Sequence, residues 1–167
     1  AAGLKQFGTS GGTAASAHSG DSPVKNWGGV GILDFPNAQA ISDVAVLNLV
    51  VDKYGCWECP IGCGARMRAG REYQYEAGVD RPEYETLCSF GTLCLNDNLE
   101  SIIRANDICN RYGLDTISAG ASIAFAIECF ENGLISEEDT DGIELYWGEH
   151  QGIVAMLEKI AEREGFG

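Results

Sequence analysis

Basic residues are scarce in this sequence. Lys and Arg number 11 against 25 Asp and Glu, a formal net charge of -14. No Lys/Arg cluster interrupts the acidic excess, so a polyanion would be repelled, which argues against nucleic acid as a partner. The acidity reads as a solvated surface. Long apolar runs are missing too: none reaches the roughly 20 residues that span a bilayer, which argues against a membrane partner. The N-terminal AAGLKQFGTSGG lacks both the charged and the apolar region of a signal peptide. It also lacks an initiator Met, and the other end stops at EREGFG, so both ends read as cut from a longer chain. Proline is rare, with 4 residues, and histidine rarer, with 2.

Cysteine and glycine are plentiful, with 7 and 22 residues. The odd number and clustering of the cysteines do not resemble a secreted disulfide framework. Reduced thiols, some of them metal ligands, fit better and imply a reducing cytoplasm. A length of 167 residues suffices for a domain with a real core.

The pattern predicts an all-α, multihelical domain with a Gly-rich N-terminal loop region and room for one short hairpin. Residues 1–36 read as a loop-rich connecting segment, punctuated by Gly8, Gly11, Gly12, Gly20, Gly28, Gly29 and Gly31. Within them GTSGGT fits neither the P-loop nor the dinucleotide fingerprint and reads as a tight connecting loop. Residues 37–167 read as a helical cofactor- or cluster-binding domain. In 37–54, Asn37 serves as a candidate cap and Ile41, Val44, Leu47 and Val51 share a helical face. Alternation in 72–76 suggests a strand or hairpin arm. RPEYETLCSFGTLCL opens a helix with Pro82, Glu83 and Glu85 near its positive end. Further helices span 97–112, capped by Asp97 and stopped by Gly113, then 115–132, capped by Asp115, and 150–164. The small apolar body TISAGASIAFAIECF predicts a helix buried on most sides.

Chemistry concentrates in CWECPIGC, where Cys56, Cys59 and Cys63 follow a C-x2-C-x3-C spacing. A structural zinc site would normally present two close pairs of ligands. Three thiolates in a Gly/Pro-bearing loop suit an iron–sulfur cube, with a distant fourth cysteine. Cys88, Cys94, Cys109 and Cys129 lie singly in predicted helices and read as core packing. Glu83 and Glu85 read either as compensation of a helix dipole or as functional carboxyls. In NRYGLDTIS, Asn110, Gly113, Leu114 and Asp115 join two helices. Their bland role is a stop and a cap, and their functional role is to face a polar ligand.

CWECPIGC, RPEYETLCSFG, NRYGLDTISAG and AMLEKIAEREGFG, taken in order with GTSGGT and SPVKNW, resemble the tungsten-containing aldehyde ferredoxin oxidoreductase family. The resemblance covers essentially the whole chain and implies the first of two C-terminal helical domains of a longer enzyme. It implies a tungsten (or molybdenum) bis-pterin beside a 4Fe–4S cluster, oxidation of a small aldehyde to a carboxylic acid, and ferredoxin or another electron-transfer protein as acceptor. An anaerobic setting is expected with it, in the cytoplasm that the reduced thiols imply. Cys56, Cys59 and Cys63 match the three clustered ligands, and the fourth lies beyond Gly167. The pterin motif D-x-x-G-L-D reads N-R-Y-G-L-D, so Leu114 and Asp115 match, Gly113 shapes the turn, and Asn110 keeps an acceptor oxygen without the charge. The active-site carboxylate falls on Glu85 in preference to Glu83, with proton transfer as its role. His18 and His150 match no catalytic position. The E-x-x-H iron site of some members is replaced by Arg104, Ala105, Asn106 and Asp107, so no such iron is expected. The isolated chain, lacking the remaining domains, is expected to be inactive. Three other readings compete: the catalytic-subunit fragment of an aromatic acyl-coenzyme A reductase of the same family; a non-enzymatic cluster or zinc module with Cys88 or Cys94 as fourth ligand; and a helical structural domain with fortuitous cysteines.

Overall fold

A computed structural model describes residues 2–167. Eight helices and one hairpin make up its regular structure: α1 Ala2–Phe7, α2 Thr13–Ser19, α3 Gly31–Asp34, α4 Asp43–Leu47, β1 Val50–Tyr54, β2 Gly64–Met67, α5 Tyr84–Phe90, α6 Leu99–Tyr112, α7 Thr116–Glu131 and α8 His150–Glu162. Short 3-10 turns occupy Gly8–Ser10, Ala38–Ile41 and Thr92–Cys94. The multihelical expectation and the single hairpin are both met. The N-terminal third is more helical than its glycines suggested, since α1 and α2 fill most of residues 2–19.

The core lies where α6, α7 and α8 present their apolar stripes to each other and to α5. Ile102, Ile103, Ile123, Ile127, Ile153 and Leu157 are completely or almost completely buried. Local chemistry explains the helix ends. Asn98 caps α6 by accepting from the Ser101 N–H at 2.9 Å, one residue after the expected Asp97, which instead accepts from Asn37 at 2.8 Å. Gly113 ends α6 in the left-handed conformation, φ 69°, which costs a residue without Cβ nothing. Asp115 caps α7 as expected, accepting from the Ser118 N–H at 2.7 Å.

Three expectations are corrected. Residues 37–54 do not form one helix. Ser42 is extended and caps the short α4, and the chain then becomes β1. Val44 and Val51 are exposed while Val46 and Ile41 are buried, so the supposed face is not a face. Cross-strand pairing of a β-branched run outweighed an accidental helical period. The hairpin arm is therefore not 72–76 but 64–67, which pairs antiparallel with β1 through Val50↔Met67 and Tyr54↔Gly64. The N–H groups of Arg71 and Glu72 are drawn instead to the Glu100 carboxylate, both at 2.8 Å. Finally, α7 is buried on one side only, with Ile117 and Phe125 exposed at 49% and 62%.

Helices α5 and α7 approach closely because Gly120 faces the Ser89 backbone. A Cβ there would stand 2.8 Å from the Ser89 carbonyl carbon. The contact is fastened by the Ser89 hydroxyl donating to Thr116 O at 3.1 Å and by the Thr86 and Thr116 hydroxyls at 2.9 Å. Gly120→Ala gains helix propensity but forces the two backbones apart. The net expected result is a loss of about 1–3 kcal/mol, read as a lower midpoint in denaturant.

Candidate functional site

The hairpin turn is the three-cysteine loop. Residues 55–63 leave β1 at Tyr54 and return at Gly64. Within the loop the Cys59 N–H donates to Cys56 O at 3.0 Å, and Glu58 and Gly62 adopt left-handed φ of 57° and 60°. Cys56 and Cys59 are exposed and Cys63 is half-buried. The Gly62 and Ile61 N–H groups point at the Cys59 sulfur and lower its pKa from the ordinary thiol value. Among the described residues no three Cys, His, Asp or Glu side chains converge as they would on one metal ion. A cube takes each thiolate at a separate iron, so exposed, spaced thiols with amides turned toward sulfur fit it better than a mononuclear site.

Cys88 and Cys94, the alternative fourth ligands, share no hydrogen bond with this loop among the described residues. Both are buried, and the Cys94 thiol donates to Ser89 O at 3.3 Å. Burial pushes Cys94 up to about 12 and raises Cys88 as well. Cys109 is likewise a core residue, pushed up to about 11 mainly by burial. Cys129 is only half-buried. It lines an apolar cleft of about 410 Å³ between α7 and α8, away from the loop.

The carboxylate block is brought to the cysteine loop by backbone pairing. The Arg81 N–H donates to Ala65 O at 2.9 Å, and Met67 exchanges bonds with Gly78 and Val79, so residues 78–81 run along β2. The next residues start α5. Glu83 occupies the cap position without bonding its own helix. The helix is closed by Thr9, from the GTSGGT segment, whose hydroxyl oxygen accepts from the Tyr84 N–H at 2.8 Å and whose proton goes to the Glu83 carboxylate in a short bond. Glu85 lies one residue into the first turn, exposed, with no side-chain hydrogen bond among the described residues.

A cleft of about 550 Å³ joins these pieces. Glu83, Glu85, Asn110, Thr116 and Ile117 line it, with Tyr54, Asp80, Arg81, Thr86 and Asn106. Asn110 thus lines the same cleft as both carboxylates. Gly113, Leu114 and Asp115 are not among its lining residues: Leu114 is half-buried against the core and Asp115 holds the α7 cap. Sequence reasoning did not single out Tyr54, Asp80, Arg81 or Asn106. The Tyr54 hydroxyl donates to Asp80 at 2.8 Å, and Asn106 donates to Asp80 O at 3.0 Å. Burial, then Asp80, pushes Tyr54 up to about 12. Two of the four were visible in or beside quoted motifs, Tyr54 two residues before Cys56 and Arg81 as the first residue of RPEYETLCSFG.

His150 is structural. It starts α8, with Nδ1 against the Tyr73 hydroxyl and its ring 5.7 Å from the Tyr73 ring, edge to face. The Arg104–Asp107 stretch forms an ion network in which Arg104 meets Glu158 at 2.8 Å and Arg111 meets Asp107 at 2.8 Å.

A multihelical domain with a three-cysteine loop beside a carboxylate-lined cleft is the class that fold and site define. The family model described as "Aldehyde ferredoxin oxidoreductase, domains 2 & 3" matches residues 1–167, and the chain belongs to this family. It is 39% identical over 167 residues to a tungsten-containing aldehyde ferredoxin oxidoreductase of Pyrococcus furiosus, which covers 99% of this chain and 26% of that protein. The counterpart from Pyrococcus horikoshii is 38% identical over 87% of this chain and 23% of its own length. An aliphatic sulfonate oxidoreductase, WOR-like subunit, of P. furiosus is 29% identical over 98% of this chain and 26% of its own length. The chain spans about a quarter of the length of the curated relatives it matches.

The Asp115 carboxyl is held below its ordinary value by the Ser118 hydroxyl and N–H. A depressed folded-state value stabilises the fold above the unfolded pKa of about 3.9, and the effect disappears as pH falls through the lower folded value. Asp115→Ala is expected to lower Tm at neutral pH, with the gap to wild type closing below about pH 4 in a thermal-melt series.

Proposed function

We propose that the full-length protein oxidises aldehydes to carboxylic acids and passes the electrons to ferredoxin or a similar carrier. Family membership and the joining of the cysteine loop to the carboxylate cleft through one strand pairing support this reading. The reaction consumes an aldehyde and water and yields the acid, two protons and two electrons. A tungsten (or molybdenum) bis-pterin would supply the two-electron chemistry, and a 4Fe–4S cluster the outlet for single electrons.

This chain's residues would divide the work. Cys56, Cys59 and Cys63 hold three corners of the cluster, the fourth thiolate coming from the rest of the protein. Asn110, with the Gly113–Leu114–Asp115 turn, offers acceptor oxygens to pterin N–H groups. Glu85 moves the proton. Its carboxylate is unengaged and faces the cleft, whereas Glu83 is already bound by Thr9. Placed there, Glu85 accepts a proton from the water that becomes the second oxygen of the acid. The 167-residue chain alone, without the remaining domains, would not turn over. Among the described residues no helix is long and apolar enough to cross a membrane.

The test uses full-length protein prepared anaerobically. Iron, acid-labile sulfide and tungsten or molybdenum are measured, with aldehyde-dependent reduction of a viologen dye. Protein holding neither iron nor tungsten or molybdenum would sink the proposal. Glu85→Gln should keep the metals and lose roughly 10²–10⁴-fold in kcat, while Glu83→Gln should lose much less. Cys59→Ser should lose iron and sulfide.

A further inference from the structure

Among the described residues, Arg81 carries a buried charge with no carboxylate within salt-bridge distance, although the Glu83 charge acts on it from further away. The residue is 5% exposed. Among the described residues its guanidinium bonds only to backbone carbonyls, donating to Cys63 O in a short bond and to Gln6 O at 3.3 Å. Burial lowers its pKa from the ordinary guanidinium value, with Glu83, Cys63 and Tyr54 acting the other way. Two details hold it in this state. Gly8 lies so close beneath the guanidinium that a Cβ would collide with it. Thr9, the next residue, keeps the Glu83 carboxylate engaged elsewhere. A cation buried without an anion is costly, and such a charge is retained where a negative charge comes to meet it.

Resting on the cluster reading above, we infer that Arg81 sets the reduction potential of the cluster held by Cys63. One-electron reduction adds one negative charge to the cluster. The electron comes from aldehyde oxidation and leaves to the ferredoxin-type carrier, while Arg81 exchanges neither electron nor proton. A fixed positive charge in a poorly solvated position attracts the reduced cluster more than the oxidised one and so raises the potential. Glu83, whose charge also acts on the guanidinium, opposes it. Arg81 is a positioning and electrostatic residue rather than a catalytic one.

The experiment is a potentiometric titration of the full-length, anaerobically prepared protein. Dithionite is the reductant, and the reduced cluster is followed by electron paramagnetic resonance. Arg81→Met should move the midpoint to a more negative potential with iron and sulfide content unchanged. Arg81→Lys should stay near wild type, and Glu83→Gln should move the midpoint the opposite way, to a more positive potential. An iron-replete Arg81→Met protein with the wild-type midpoint overturns this inference and leaves the cluster reading standing. Should Arg81→Met lose the cluster, Glu83→Gln decides, and an unmoved or more negative midpoint overturns the inference. Wild-type protein without iron and sulfide overturns both.

Discussion

The site depends on one register. Residues 78–81 lie along β2 through backbone bonds to Ala65 and Met67, and this alignment sets Arg81 beside Cys63. Strand pairing alternates faces, so a slip of one residue would turn Arg81 outward and carry PEYET away from the loop. Everything downstream inherits the alignment. Pro82 follows at once, α5 starts at Tyr84, and the close α5–α7 contact at Gly120 brings the carboxylates to the α6–α7 turn. The cysteine loop needs no helix of its own. It is a hairpin turn with its third thiol anchored at the start of β2 and the first two left at the surface.

Charge is handled in two ways around the cleft. Glu83, Glu85 and Asn110 are solvated and have room to meet a ligand. Arg81, in the wall of the same cleft, is buried and held among carbonyls. The C-terminal carbonyls of α1 serve both Arg81 and Lys53, whose ammonium accepts none and donates to Lys5 O at 3.3 Å and Gln6 O at 3.0 Å. Cations at a helix C-terminus are favoured by the exposed carbonyls there. A short helix with no buried side chain of its own thus ties the hairpin to the N-terminal segment.

The parts legible in the sequence were those specified locally. Asp115 and Gly113 carry their roles in their chemistry, and the stripes of α6 and α8 repeat long enough to be read. The clustered cysteines announced themselves by spacing, whereas a functional role for the two carboxylates came only from the family resemblance. Residues 37–54 misled because four apolar residues fell on a helical period while the run from Val50 to Tyr54 was committed to a partner 10 to 17 positions away. The apolar girth of α7 was real, but among the described residues only one side of it is covered. Tyr54, Arg81 and Thr9 were not legible as site residues. Each owes its place to contacts across the hairpin or across more than 70 residues, and pattern reading has no access to those.

Thr9 gives the α5 terminus an unusual dependence. A capping side chain normally sits next to the helix that it closes, so the helix start is a local property. Here the Tyr84 N–H is satisfied by a residue 75 positions earlier. The orientation of the carboxylates is therefore not encoded in PEYET alone. It is a joint property of two distant pieces of chain, and the glycines around Thr9 gain their meaning from that. A segment that contributes little to the core acts as the clasp on the helix that carries the proposed catalytic carboxylate.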